Sequence, residues 1–291
     1  MASQARRRAD NVEGDLYVDD TCIDCDTCRW MAPDTFDRVG GQSRVHAQPA
    51  DDAARLSALR ALVSCPTASI GSVQPAPELE AAMASLPEVV HGPVHSCGWT
   101  SRDSYGATSY LIVRETGNVL VDSPRFARPL VDRLHELGGV SLMLLTHEDD
   151  VADHARFAAE FGCTRVLHEA ALDAGTRDVE HVLRGDEPTD LADDLRVLPV
   201  PGHTRGCVCL LHDETHLFTG DHLAWSPALR HLYAFRRFCW YDWDVQQASM
   251  ARLRGVPFSW VLPGHGRRIQ LEPAAMQTSL DRCITWMKDA R

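Results

Sequence analysis

Three cysteines stand at intervals of three positions in Cys22-Ile-Asp-Cys25-Asp-Thr-Cys28, and no other feature of the 291-residue chain restricts its folding as tightly. A loop of that spacing can wrap a cubane and offer it three thiolates. A secreted disulfide framework has no use for such a run, whereas in a reducing compartment it reads as metal or cluster ligation. The fourth ligand must come from elsewhere, and Cys65-Pro66 is the candidate. With one triplet there is one cluster to close, so Cys65 is expected to close it. The competing reading is a four-cysteine zinc site. Such sites usually pair two Cys-x-x-Cys knuckles, and here the second is missing. The polar N-terminus holds Arg6, Arg7 and Arg8 and is not followed by an apolar stretch, so no secretory signal is read. The expected compartment is the cytoplasm.

The length suits one large domain and one small one. The first region, 1–73, holds the cysteine run, a turn at Gly40-Gly41, a short strand candidate at 43–46 and a helix over about 50–63, where Leu56, Leu59, Leu62 and Val63 fall at helical spacing. Residues 74–88 read as a linker punctuated by Pro75, Pro77 and Pro87, with a helical candidate at 78–85. From about residue 89 to 291, short apolar strand candidates (107–114, 118–122, 142–146, 165–167, 195–200, 207–211, 216–219 and 259–262) alternate with helical stretches (128–137, 150–161, 243–253 and 273–288). Gly117-Asn118 sits where a hairpin turn would. That mixture predicts an α/β sandwich with helices outside. A formal charge of −12 argues against nucleic acid or an anionic membrane as partner. No stretch approaches the roughly 20 apolar residues needed to span a bilayer.

Five polar elements each follow an apolar strand candidate: Asp122; His147-Glu-Asp149-Asp150-Val-Ala-Asp153-His154; Gly202-His203; Gly220-Asp221; and Gly264-His265. Ligands at strand ends are held rigidly by the sheet. Imidazole and carboxylate donors suit zinc, iron or manganese.

Residues 15–71, with the Cys-Pro-Thr-Ala segment at 65–68, resemble a single-cluster bacterial ferredoxin. The resemblance implies a [4Fe-4S] cluster on Cys22, Cys25, Cys28 and Cys65, in a small α+β domain. In two-cluster ferredoxins the cysteine before proline serves the other cluster, and this chain has no second triplet to receive it. The ordered set of elements between residues 89 and 265 resembles the metallo-β-lactamase superfamily, which implies an αββα sandwich holding two divalent metals. By that resemblance His147 and His203 bind the first metal. Asp153, His154 and His265 bind the second, Asp221 bridges the two, and Asp122 supports the site. Asp153 and Asp221 are then the residues nearest the chemistry.

The chain departs from the family pattern His-x-His-x-Asp-His. Two extra residues separate His147 from Asp153, and no second histidine is present. Asp149 or Asp150 is expected to take its place. A carboxylate there shifts preference from zinc towards iron or manganese, and the flavodiiron branch also carries one.

The resemblance implies a metal-dependent hydrolase that uses a metal-bridging hydroxide at a binuclear site on a small-molecule substrate, a thioester, lactone, amide or phosphoester. The cluster domain would serve redox coupling or structure. The alternative is a diiron oxidoreductase of flavodiiron-like type that takes electrons from the fused cluster, with a redox partner to supply them. The aromatic run between Trp225 and Trp243 reads equally as a pocket wall and as core packing. Cys207 and Cys209 read as buried hydrophobes. His168 and the segment 104–110 read as structural.

Overall fold

The computed structural model describes residues 2–290. Its contacts divide the chain into two compact units, one comprising the chain up to Leu142 together with Ala152–Cys163, the other Met143–Val151 with the chain from Thr164.

The first unit begins with the cysteine-bearing region. Leu16–Val18 pairs antiparallel with Ile70–Ser72, and Phe36–Val39 forms a hairpin with Gln42–Val45. The hairpin turns at Gly40 and Gly41, both left-handed (φ 62° and 80°), so a turn read from the sequence exists for the reason glycine permits. The helix Asp52–Ser64 starts at Asp51, whose side chain accepts from the Ala54 N–H, and stops before Cys65-Pro66. Leu16, Val18, Phe36, Val45, Leu59 and Ile70 make the local core. Ala82, and with it Leu79, packs into that core from the short helix Leu79–Ala84 of the proline-punctuated segment. An antiparallel meander follows: Glu88–His91, Val94–Ser96, Tyr110–Ile112 and Val119–Val121. The helix Arg128–Glu136 buries Leu130, Val131 and Leu134. A helix predicted over 150–161 begins only at His154, because Glu148–Asp150 forms a separate 3-10 turn.

The second unit has a six-stranded sheet in the order Thr189–Ala192, Leu195–Pro199, Val208–His212, His216–Gly220, Trp260–Pro263, Ile269–Gln270. Its neighbours run antiparallel except His216–Gly220 with Trp260–Pro263, which is parallel. A parallel pair needs a crossover, and the helix Trp243–Arg252 lies within it. That helix and Pro273–Asp289 cover an apolar core that includes Leu217, Val261, Met250, Met276 and Leu280. The two parallel strands end side by side, and Gly220-Asp221 and Gly264-His265 leave from these carboxyl ends, where α/β sheets place ligands. Thr164–His168 pairs parallel with His181–Leu183.

Candidate metal centre and cluster pocket

In the first unit the four predicted cysteines meet. Cys22, Cys25, Cys28 and Cys65 line one cavity, floored by Val18 and Ile70. The sulfurs sit among donors. The Ser43 N–H donates to Cys22 Sγ (3.4 Å) and the Ser69 N–H to Cys65 Sγ (3.3 Å). These two are N–H donors; at the other sulfurs, Thr27 Oγ1 lies 3.4 Å from Cys25 Sγ, and Cys28 Sγ donates to Ser43 Oγ (3.3 Å). Donors of this kind hold thiolates bound to iron and tune a cluster's potential. Burial pushes the Cys25 thiol up to about 11 and Cys28 further. Bound by these four cysteines, an iron–sulfur cluster would favour the thiolate form and so would couple its binding to proton release. The residues fit a cubane cluster.

The segment read as merely structural also closes this pocket. Gly106 is left-handed (φ 90°), and a Cβ there would lie 2.8 Å from Cys25 Cβ. Thr27 Oγ1 donates to the Gly106 carbonyl (3.1 Å), and the Tyr105 hydroxyl donates to the Ile23 carbonyl. Nothing in the sequence marks that contact, which is made by residues far apart along the chain.

In the second unit His147, Asp149, His203, Asp221 and His265 come together. His147 follows the strand Leu142–Leu144, and Thr146 Oγ1 holds its Nδ1 at 3.0 Å, which aims Nε2 at the site. His203 Nε2 lies 3.4 Å from Asp149 Oδ2 and 3.8 Å from Asp221 Oδ2. His147 Nε2 lies 3.9 Å from each of the same oxygens. Donors about 2.1 Å from a tetrahedral ion stand about 3.4 Å apart, so these spacings suit a common ion. His147 Nε2 and both His203 ring nitrogens are buried without a hydrogen-bond partner among the described residues, and an ion would satisfy one lone pair on each ring. Burial lowers the His147 pKa to about 4, so the ring is neutral and able to ligate.

Asp221 serves two sides. Its Oδ2 faces His147 and His203, while His265 Nδ1 lies 2.8 Å from Oδ1 and the His265 N–H donates to that oxygen at 3.1 Å. Burial alone would raise this carboxyl, but His265 and the other two imidazoles hold it well below the ordinary range.

Both candidate aspartates of the departing loop enter the site. Asp149 meets His203, whose ring at 3.4 Å is the main cause of its lowered pKa, and is 45% exposed on its side chain. Asp150 is buried, and with His147 and Asp221 it forms a second group whose ligand atoms lie within 4.8 Å. The 3-10 turn Glu148–Asp150 turns successive side chains to different sides, a local geometry the spacing alone does not show. Glu148 accepts from Thr204 Oγ1 (2.7 Å), tying this turn to the His203 loop.

Asp153 and His154 fall in the other unit, at the start of the helix His154–Phe161. Asp153 accepts there from the Phe126 N–H (2.7 Å) and Arg156. Asp122 lies in that unit too, buried and left-handed (φ 58°) after Val119–Val121. His222 was not read from the sequence. It is fully buried next to Asp221, with neither ring nitrogen hydrogen-bonded among the described residues, and burial followed by the nearby His203 lowers its pKa to about 3. Only its position after Asp221 could have drawn notice. His168 bonds the Gly185 carbonyl (3.0 Å) and the Ala170 N–H, a structural role. Cys207 and Cys209 are buried.

Residues 18–72 match the family model described as the 4Fe-4S single cluster domain of Ferredoxin I. In fold, the chain is similar to the metallo-β-lactamase DIM-1, with 17% identity and a TM-score of 0.53, over 70% of this chain and 96% of that one. It is also similar to the metallo-β-lactamase MIM-1 from Novosphingobium pentaromativorans, with 17% identity and a TM-score of 0.50, over 70% and 89%. The chain is thus a metallo-β-lactamase-fold α/β protein preceded by a small 4Fe-4S ferredoxin region. Among curated proteins it is similar to hydroxyacylglutathione hydrolases. It is 35% identical over 122 residues to that of Xanthomonas campestris pv. campestris, which is 39% of this chain and 45% of the relative. It is 32% identical over 129 residues to that of a Synechococcus species, 42% and 50%. These matches span half or less of the relatives' length. No helix among the described residues is long and apolar enough to cross a membrane.

Proposed function

We propose that the chain is a metal-dependent hydrolase acting on a thioester. The observation that carries this reading is the convergence of His147 and His203 on Asp221, with unbonded buried ring nitrogens facing one point. Divalent metals held there would supply Lewis acidity and lower the pKa of water. The protein's part is positional. His147 is kept neutral by burial and aimed by Thr146. Asp221, shared between His147 and His203 on one side and His265 on the other, would be the ligand common to both metals of a binuclear site. Asp149 takes the position of the missing histidine, and its exposure leaves the centre open to substrate. The relatives that hydrolyse hydroxyacylglutathiones support a thioester as substrate.

The carboxylate at Asp149 favours a second reading, in which the centre takes iron and the chain is a diiron oxidoreductase supplied with electrons by its own cluster. Assays of the zinc- and iron-loaded protein with a hydroxyacylglutathione decide between them. Thiol release by wild type, abolished in His203→Ala, supports hydrolysis. No release with either metal, together with oxidation of the reduced protein by dioxygen that depends on His203, refutes it.

A further inference from the structure

The aromatic run between Trp225 and Trp243 divides in the structure. Trp243 is buried, with Nε1 donating to the Met287 carbonyl (3.1 Å), and Tyr233 packs against Phe235 and Trp286. Phe238, Trp240 and Tyr241 instead remain 50%, 63% and 43% exposed. Large exposed aromatics grouped within four positions mark a surface that something covers.

These side chains do not hang from a loose loop. The Trp240 and Tyr241 N–H groups both donate to the His203 carbonyl (2.8 and 3.0 Å). The Asp242 N–H and Cys239 Sγ donate to the Gly202 carbonyl (3.1 Å each). The display is therefore built on the backbone of a metal-site histidine. The Trp240 ring lies 6.3 Å from the His203 ring and 5.9 Å, nearly edge-on, from Phe238. Exposed Arg205, two residues beyond His203, stacks its guanidinium over Tyr241 at 4.8 Å. Arg236 and Arg237 are exposed beside Phe238. The neighbouring Asp242 carboxylate is engaged in capping the Asp244 and Val245 N–H groups. In a chain of net charge −12, this apolar surface carries a cationic edge.

We propose that Phe238, Trp240, Tyr241 and Arg205 form the surface that binds the non-reacting part of the substrate, and that this part is an aryl or extended apolar group bearing a negative charge. The inference rests on the hydrolase reading and narrows its substrate class. Continuity with His203 selects a substrate of that centre as occupant over a macromolecule, and binding energy from a remote apolar group is what such a surface supplies. Trp240 gives the flat face, Phe238 its edge, and Arg205, held by Tyr241, the counter-charge.

The test uses the full chain with its cluster, loaded with zinc, and titration calorimetry with acetate, 2-naphthoate and 2,6-naphthalenedicarboxylate. All three offer the metals a carboxylate. 2-Naphthoate is expected to bind at least about tenfold more tightly than acetate, and Trp240→Ala is expected to erase that preference. The dicarboxylate is expected to bind more tightly than 2-naphthoate, and Arg205→Gln to remove that second gain. Equal affinity for acetate and 2-naphthoate, or a preference that survives Trp240→Ala, overturns the proposal. So does self-association in gel filtration that Trp240→Ala abolishes, since a second copy would then cover the patch. Thiol release from a hydroxyacylglutathione and from a monothioester of 2,6-naphthalenedicarboxylate, measured on the same samples, separates the two readings. Naphthoate preference without turnover sinks the hydrolase reading and keeps the surface, while turnover without preference does the reverse.

Discussion

The cluster pocket and the His/Asp centre are built by opposite means. Around the cysteines every sulfur has a backbone or hydroxyl neighbour, the floor is apolar, and Tyr105 and Gly106 close over Cys25. Around His147 and His203, His147 Nε2 and both His203 ring nitrogens lack hydrogen bonds among the described residues, and the nearest carboxylate, Asp149, is 45% exposed. Structural and electron-transfer sites are closed, whereas catalytic ones keep a position open for substrate. On the proposed function, the first site would hold its group closed and the second would carry the chemistry.

The largest expected effect breaks the first site alone. Cys65→Ala should bleach the cluster's visible absorption and remove its iron, while the His/Asp centre keeps its metal. Loss of both metals together would show that the two sites are not independent. Next, His203→Ala removes a ligand outright. Thioester turnover should fall by more than the roughly 100-fold that changes behind the ligands cost, with the cluster spectrum unchanged. Turnover within a few-fold of wild type would remove His203 from the centre.

Two smaller changes sharpen the account of the open site. Gly264→Ala places a Cβ 2.7 Å from Asp150 Oδ2 and 3.3 Å from Asp221 Oδ1. It should weaken metal binding by about tenfold, read by competition with a chelator; unchanged affinity would mean that Asp150 is not held against the metals. Asp149→His should move metal preference towards zinc in protein grown with both metals. A ratio that does not change would make Asp149 a bystander.

Much of this was legible because the signals are local. The cysteine spacing lies within one loop, and His147, His203, Asp221 and His265 each follow an apolar run that the sheet turns into a fixed address. What lay hidden depends on rotation or on distant contacts. That Asp149 and Asp150 both reach the centre turns on the 3-10 geometry of Glu148–Asp150, Asp149 grouping with His147 and His203 and Asp150 with His147 and Asp221. The strands Thr189–Ala192 and Ile269–Gln270 went unread because they lie at the sheet's edges, short and partly exposed, where alternation fades. The helix Thr27–Met31 is a single turn or so, too short for periodicity to reveal.

The smallest effect lies away from both sites. Glu180 accepts from Arg165 at 2.8 Å, and this hydrogen bond lowers its pKa from 4.5 to about 2. A carboxyl lowered in the folded state contributes stability that is present above pH 4.5 and fades as pH falls towards 2. With Glu180 45% exposed, the contribution is about 0.5 kcal/mol. Glu180→Gln should therefore lower the urea midpoint slightly at pH 7 and lose that difference near pH 2. An equal difference at both would assign the effect to packing.

The division into a closed cluster and an open catalytic centre is tested most directly by metal and acid-labile sulfide analysis of anaerobically purified wild type and Asp221→Asn. Wild type should hold a full cluster's iron and sulfide plus additional zinc, iron or manganese, and Asp221→Asn should lose the additional metal while keeping the sulfide. Wild type with no metal beyond the cluster's iron, or a variant that keeps its additional metal, would contradict the account.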